Sequence, residues 1–190
     1  MKKSFGAKTL AYPAPLFCVG TYDAQDRPNI MAAAWAGICC SKPPSLAVSL
    51  RPATYSHGAI LARRAFTVSI PSSAYMAHAD YAGMVSGETE NKFETLGLTP
   101  EKGGFVDAPY VAEFPLVIEC ALTHSHSIGL HTQFIGEILD VKVDETCLGE
   151  DGMPDIRKVD PVIFAPVTRG YYAVGEYLGQ AFSAGKTLKK

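Results

Sequence analysis

Leu116-Val117-Ile118-Glu119-Cys120-Ala121-Leu122-Thr123-His124-Ser125-His126 places Leu116, Ile118, Cys120 and Leu122 on one apolar face, the period of two that marks a β-strand. His131 to Val143 is its expected partner, with Ser127-Ile128-Gly129-Leu130 as the turn, so the two long strands predict a hairpin. Working outward, Ala65 to Ile70 is a strand ended by Pro71, and Ser45 to Leu50 a strand that delivers Arg51 before Pro52 stops it. Leu16 to Tyr22 and Asn29 to Cys40 flank the turn cluster Asp23 to Pro28, and Ser41-Lys42-Pro43-Pro44 separates them from Ser45. The first fifty residues therefore predict three consecutive antiparallel strands. Helical pieces are expected at His57 to Arg64, with Ser56 as N-cap, at Ala74 to Ala82, and at Asn91 to Leu96. Beyond the long hairpin, the acidic stretch Glu145 to Asp160 reads as a surface loop, Pro161 to Phe164 as a strand, and Gly170 to Gly175 as small residues among aromatics. Many short strands with one helical insertion point to a mainly β antiparallel barrel rather than a doubly wound sheet.

The chain has 190 residues, 47% of them hydrophobic, enough for one domain with a real core, and residues 1–190 read as that single domain. Its 17 basic and 19 acidic residues nearly balance, so nothing predicts a nucleic-acid surface or a polybasic membrane anchor. The basic tail Lys186 to Lys190 reads as a solvated end. Five cysteines, at 18, 39, 40, 120 and 147, show no CxxC spacing, which argues for reduced thiols. Met1-Lys2-Lys3 lacks the apolar run that an export signal needs, and Met31 to Cys40 is far short of a membrane span; a soluble cytoplasmic protein is expected.

The chemistry concentrates between Ser45 and Lys92. Arg51 offers a bidentate cation, and the helix after Ser56 starts without an acidic side chain, so its free N–H groups suit a phosphate. Asp80-Tyr81-Ala82-Gly83-Met84-Val85-Ser86-Gly87 permits close backbone approach, and Lys92 adds a second cation. Trp35, the only tryptophan, sits among alanines and is either a core anchor or a wall beside a flat ring. A GxGxxG fingerprint is absent, and Gly179 to Thr187 misses the P-loop by one residue between its glycines. His124 and His126 share a strand face, but no carboxylate or thiolate has the spacing to complete a metal site; ordinary strand histidines are expected. No Ser/His/Asp order or carboxylate pair stands out.

Taken in order, Arg27-Pro28-Asn29-Ile30-Met31, Ala34-Trp35, Val48-Ser49-Leu50-Arg51-Pro52, Tyr55-Ser56, Ser69-Ile70-Pro71, Asp80-Tyr81-Ala82-Gly83, Ser86-Gly87, Lys92-Phe93, Gly129-Leu130-His131 and Phe134-Ile135-Gly136-Glu137 resemble the flavin reductase-like FMN-binding split barrels. The resemblance runs from about Leu16 to Phe182 and implies a six-stranded antiparallel split β-barrel with short helices, usually a homodimer binding FMN near the subunit interface. It implies that Asn29, Ala34 and Trp35 line the isoalloxazine, and that Ser49, Arg51, Ser56 and Lys92 hold the phosphate. Ser69, Gly83, Ser86 and Gly87 would follow the ribityl chain and ring edge, with His131 and Phe164 closing the pocket. No catalytic residue is implied, because the flavin does the redox chemistry. NAD(P)H-dependent members commonly carry Gly-Asp-His where this chain has Gly129-Leu130-His131. That departure favours an electron carrier serving a redox partner protein over an NAD(P)H:flavin oxidoreductase; a non-enzymatic flavin sensor or storage protein is the third option.

Overall fold

A computed structural model describes residues 1–188; Lys189 and Lys190, the end of the predicted basic tail, lie outside the described residues. The central sheet holds β2 (Phe17–Tyr22), β3 (Pro28–Ala33), β4 (Ala36–Ser41), β5 (Pro44–Leu50), β6 (Ala65–Ile70), β9 (Leu116–Ile128) and β10 (His131–Val143). Its order is β3-β2-β6-β9-β10-β5-β4, and every neighbouring pair is antiparallel. A small sheet combines β1 (Ala14–Pro15), β11 (Ile163–Ala165) and β12 (Gly170–Tyr172), and β7 (Pro100–Lys102) pairs with β8 (Pro109–Val111). The helices are α1 (Tyr55–Arg63), α2 (Met76–Met84), α3 (Lys92–Leu96) and α4 (Ile156–Val159). The mainly β antiparallel class is as expected, with seven strands in the main sheet rather than six.

Connectivity forces this sheet to curl. Strands β3 and β4 occupy opposite edges, yet only Ala34 and Trp35 separate them. Those two residues bridge at most about 11 Å, whereas seven flat strands would hold their edges roughly 29 Å apart. The edges must therefore meet, and the barrel is split along the seam that Ala34 and Trp35 cross. Here the structure corrects the expectation of one strand from Asn29 to Cys40: that run is two strands, broken at Trp35, whose carbonyl accepts from the Ser49 N–H at 2.9 Å.

The long hairpin forms as its periodicity predicts, turning at Gly129, which has φ +52°. Val19, Val48, Phe66, Val68, Cys120 and Phe134 fill the barrel. A second core cluster, including Cys18, Ile30, Ala79, Ala82, Phe93 and Phe114, packs α2 and α3 against the outside of β2 and β3. That packing carries the helical insertion to the seam. The stretch from Glu145 to Asp160 is not wholly loop, since it holds a 3-10 turn at Glu145–Cys147 and α4. Among the described residues, no helix is long and apolar enough to cross a membrane.

Candidate functional site

Two clefts of about 250 Å³ each open along the seam and share Met31 and Thr54. Together they fall within the roughly 300–1,000 Å³ typical of small-molecule sites. Ala34, Trp35, Ser49, Arg51 and His131 line the first. Its wall is aromatic: the Trp35 and His131 rings lie 4.7 Å apart, and Trp35 is 45% exposed, so it is no core anchor. Asn29, Ser56, Gly83, Ser86, Gly87 and Lys92 line the second.

The second cleft is built to receive negative charge. Thr54, in extended conformation, is the N-cap of α1, and its hydroxyl turns away to donate to the Arg51 carbonyl at 2.8 Å. Helix α1 thus starts without a side-chain cap or an acidic residue in its first turn, leaving N–H groups and a positive helix end. Ser56, expected as the cap, is instead the second helical residue; its Oγ accepts from Asn29 Nδ2 at 2.9 Å, which leaves the hydroxyl proton to donate.

Lys92 is buried, and its Nζ donates to the carbonyls of Ile30 at 2.8 Å and Ala82 at 2.7 Å. Two of its three donors are used; among the described residues no carboxylate comes within ion-pair distance, and Glu90 acts on it only through space. Burial pulls its pKa down to about 8. The neighbouring Cys18 thiol, pushed by burial up to about 12, is neutral and supplies no countercharge. An ammonium in this position calls for an anion.

The expected site residues thus regroup. Ser49 and Arg51, assigned with Lys92 to one phosphate, stand with Trp35 and His131, while Asn29, assigned to the ring, stands with Ser56 and Lys92. Ser69 lines neither cleft: it is fully buried, and its Oγ accepts from the Val111 N–H at 3.2 Å. Phe164 belongs to the small sheet, where it packs on Tyr171 at 5.5 Å. Thr54, Tyr55 and Met31 also line the clefts and were missing from the expected set, although all three fall within or beside the quoted motifs. Among the described residues, no group of three metal-ligating side chains assembles; His124 and His126 stack at 6.0 Å on the exposed half of β9.

A curled antiparallel sheet with an aromatic-walled cleft running into a buried cation at a helix N-terminus defines a split-barrel protein for a flat anionic ligand. Residues 9–171 match the family described as flavin reductase like domain, and the chain belongs to that family, whose ligand is a flavin. Flavoredoxin of Desulfovibrio vulgaris (Miyazaki F) is 71% identical, with a TM-score of 0.94 over 98% of this chain and 100% of that one. Flavoredoxin from Methanosarcina acetivorans is 30% identical, with a TM-score of 0.90 over 100% and 98% of the two chains. An uncharacterized protein of Archaeoglobus fulgidus is 33% identical over 78% of this chain and 82% of its own.

Proposed function

We propose that the cleft holds FMN and that the protein, like the flavoredoxins it matches, transfers electrons through it to or from a redox partner protein. The buried Lys92 ammonium, which has no ion pair among the described residues, carries this reading, since a phosphate monoester is the anion that fits it. Lys92, Ser56 and the N-terminus of α1 would hold the phosphate. Gly83, Ser86 and Gly87 leave room for the ribityl chain, and Trp35 with His131 flanks the ring. Flavin supplies the one- or two-electron chemistry; the chain supplies binding, orientation and partial exclusion of water.

Leu130, 65% exposed at the hairpin tip, puts an apolar side chain beside His131, which supports a carrier over a nicotinamide-dependent reductase. Ile38 on β4 and Ile128 with Leu130 at the tip are exposed apolar surface of the kind a second copy covers, in keeping with a homodimer. Five free cysteines suit the cytoplasm. The test is the visible spectrum of the purified protein before and after anaerobic NADH and NADPH, with the released flavin separated by chromatography. Bound FMN that resists both nicotinamides supports the carrier; rapid bleaching makes the protein a reductase; a colourless protein that refuses added FMN ends the proposal.

A further inference from the structure

The acidic stretch from Glu145 to Asp160 and the basic tail have no part in the flavin clefts. After β12 the chain runs from Ala173 to Gly179 without secondary structure, and a cleft of about 1050 Å³ lies between this tail and residues 149–158, which include α4. Met153 and Ile156 give it an apolar lining from one side, and Val174, Tyr177 and Leu178 from the tail. Its charged lining is acidic on balance: Glu150, Asp151, Asp155 and Glu176 stand against Arg157 and Lys158. Arg157 is paired with Asp155 at 2.7 Å, and Lys158 Nζ donates to the Leu148 carbonyl. Glu150, Asp151 and Glu176 therefore have no ion pair among the described residues. The next part of the tail is opposite in charge, for residues 178–190 carry three lysines and no acid. It is apolar as well: Phe182 is 99% exposed and Leu188 85%, and neither lines the cleft.

We infer that two copies of the chain exchange tails: the segment from Phe182 to Leu188 of each seats in the cleft between α4 and the tail of the other. Phe182 and Leu188 meet the apolar lining, and Lys186 faces Glu150 and Asp151. The inference rests on the homodimer reading and deepens it, adding a second contact to that of β4 and the hairpin tip. Both halves of the contact lie on one chain, as a self-complementary two-fold interface requires. Charge selects the occupant, since an acidic cleft attracts the basic segment and repels an anionic lipid surface or a phosphorylated ligand. Size agrees, because about 1050 Å³ lies above the roughly 300–1,000 Å³ of small-molecule sites and suits a peptide segment. Exposed aromatic and aliphatic side chains next to an open apolar cleft are the surface that association removes from water.

The test is sedimentation equilibrium of the full chain, as wild type and as variants of residues that are exposed in the single copy and so spare its fold. Phe182→Ser should raise the dimer dissociation constant by about tenfold or more. Lys186→Glu and Asp151→Lys should each raise it by roughly threefold, and the two together in one chain should bring it back toward wild type, because the exchanged pair is then restored with its signs reversed. A wild-type dimer whose dissociation constant is unmoved by Phe182→Ser and by Lys186→Glu overturns the exchange and leaves the homodimer reading standing. A wild type that is monomeric at every concentration overturns both. A monomer that sediments with vesicles of anionic lipid, and loses them on Lys186→Glu, gives the tail to a membrane surface and likewise overturns the exchange.

Discussion

Glu119 and Lys92 are both buried, at 0% and 2% exposure, and they are satisfied in opposite ways. Glu119 accepts from the N–H groups of Gly104 at 3.1 Å, Phe105 at 2.8 Å and Val106 at 3.2 Å, and Lys142 Nζ closes the ion pair. Burial alone would raise its pKa, but Lys142 and the backbone donors bring it below the ordinary value. Lys92 has two carbonyls and, among the described residues, no ion pair. A buried charge whose needs are met inside the chain pins a loop, here residues 103–106 against the barrel. One whose needs are unmet marks the place of a ligand.

The largest effect that would break this contrast is on stability. Glu119→Ala strands three backbone donors and should lower the unfolding free energy by about 3–5 kcal/mol, read from urea denaturation. Lys92→Met should do the reverse of Glu119→Ala: flavin affinity falls by about 10- to 100-fold in a titration, while the flavin-free protein is as stable as wild type or more so. A Lys92→Met variant that unfolds as easily as Glu119→Ala would erase the distinction. The smallest effect is on pH dependence. Lys92 titrates at about 8 folded against 10.5 for the free side chain, so between those values the unfolded chain holds more protons. Stability of the flavin-free protein should therefore rise from about pH 8 to 10.5, while flavin affinity declines as the ammonium deprotonates. Glu119 works in the other direction: its contribution is present above 4.5 and is lost as pH falls through its depressed folded value. Denaturation midpoints and flavin titrations across pH check both slopes, and Lys92→Met should abolish the alkaline one.

Legibility followed the range of the interaction. The β9–β10 hairpin could be read because its strands are contiguous and their alternation is local. Glu119, on the odd face of the same strand, could not be read as buried, because the loop that covers it comes from residues 103–106. The Ala-rich run around Trp35 looked like continuous strand, since small residues carry no signal for a break that arises from closing the sheet. Ser56 and Thr54 are both good caps, so composition could not choose between them; the turn that bonds Thr54 to the Arg51 carbonyl did. Lys92 was legible as a cation near small residues, but not as a buried one.

Periodicity, turn residues and the ordered motifs were enough to reach an antiparallel barrel, its long hairpin and about half of the residues that line the two clefts, because each signal is carried by neighbours in the chain. Which of those residues stand together was settled by folding. The curl of the sheet brings β3 and β4 to one seam and sets Arg51 beside Trp35, and the packing of α2 on β3 buries Lys92 between the Ile30 and Ala82 carbonyls. Charge and burial belong to the assembled surroundings of a side chain, and no local pattern encodes what a segment thirty or sixty residues away will place beside it.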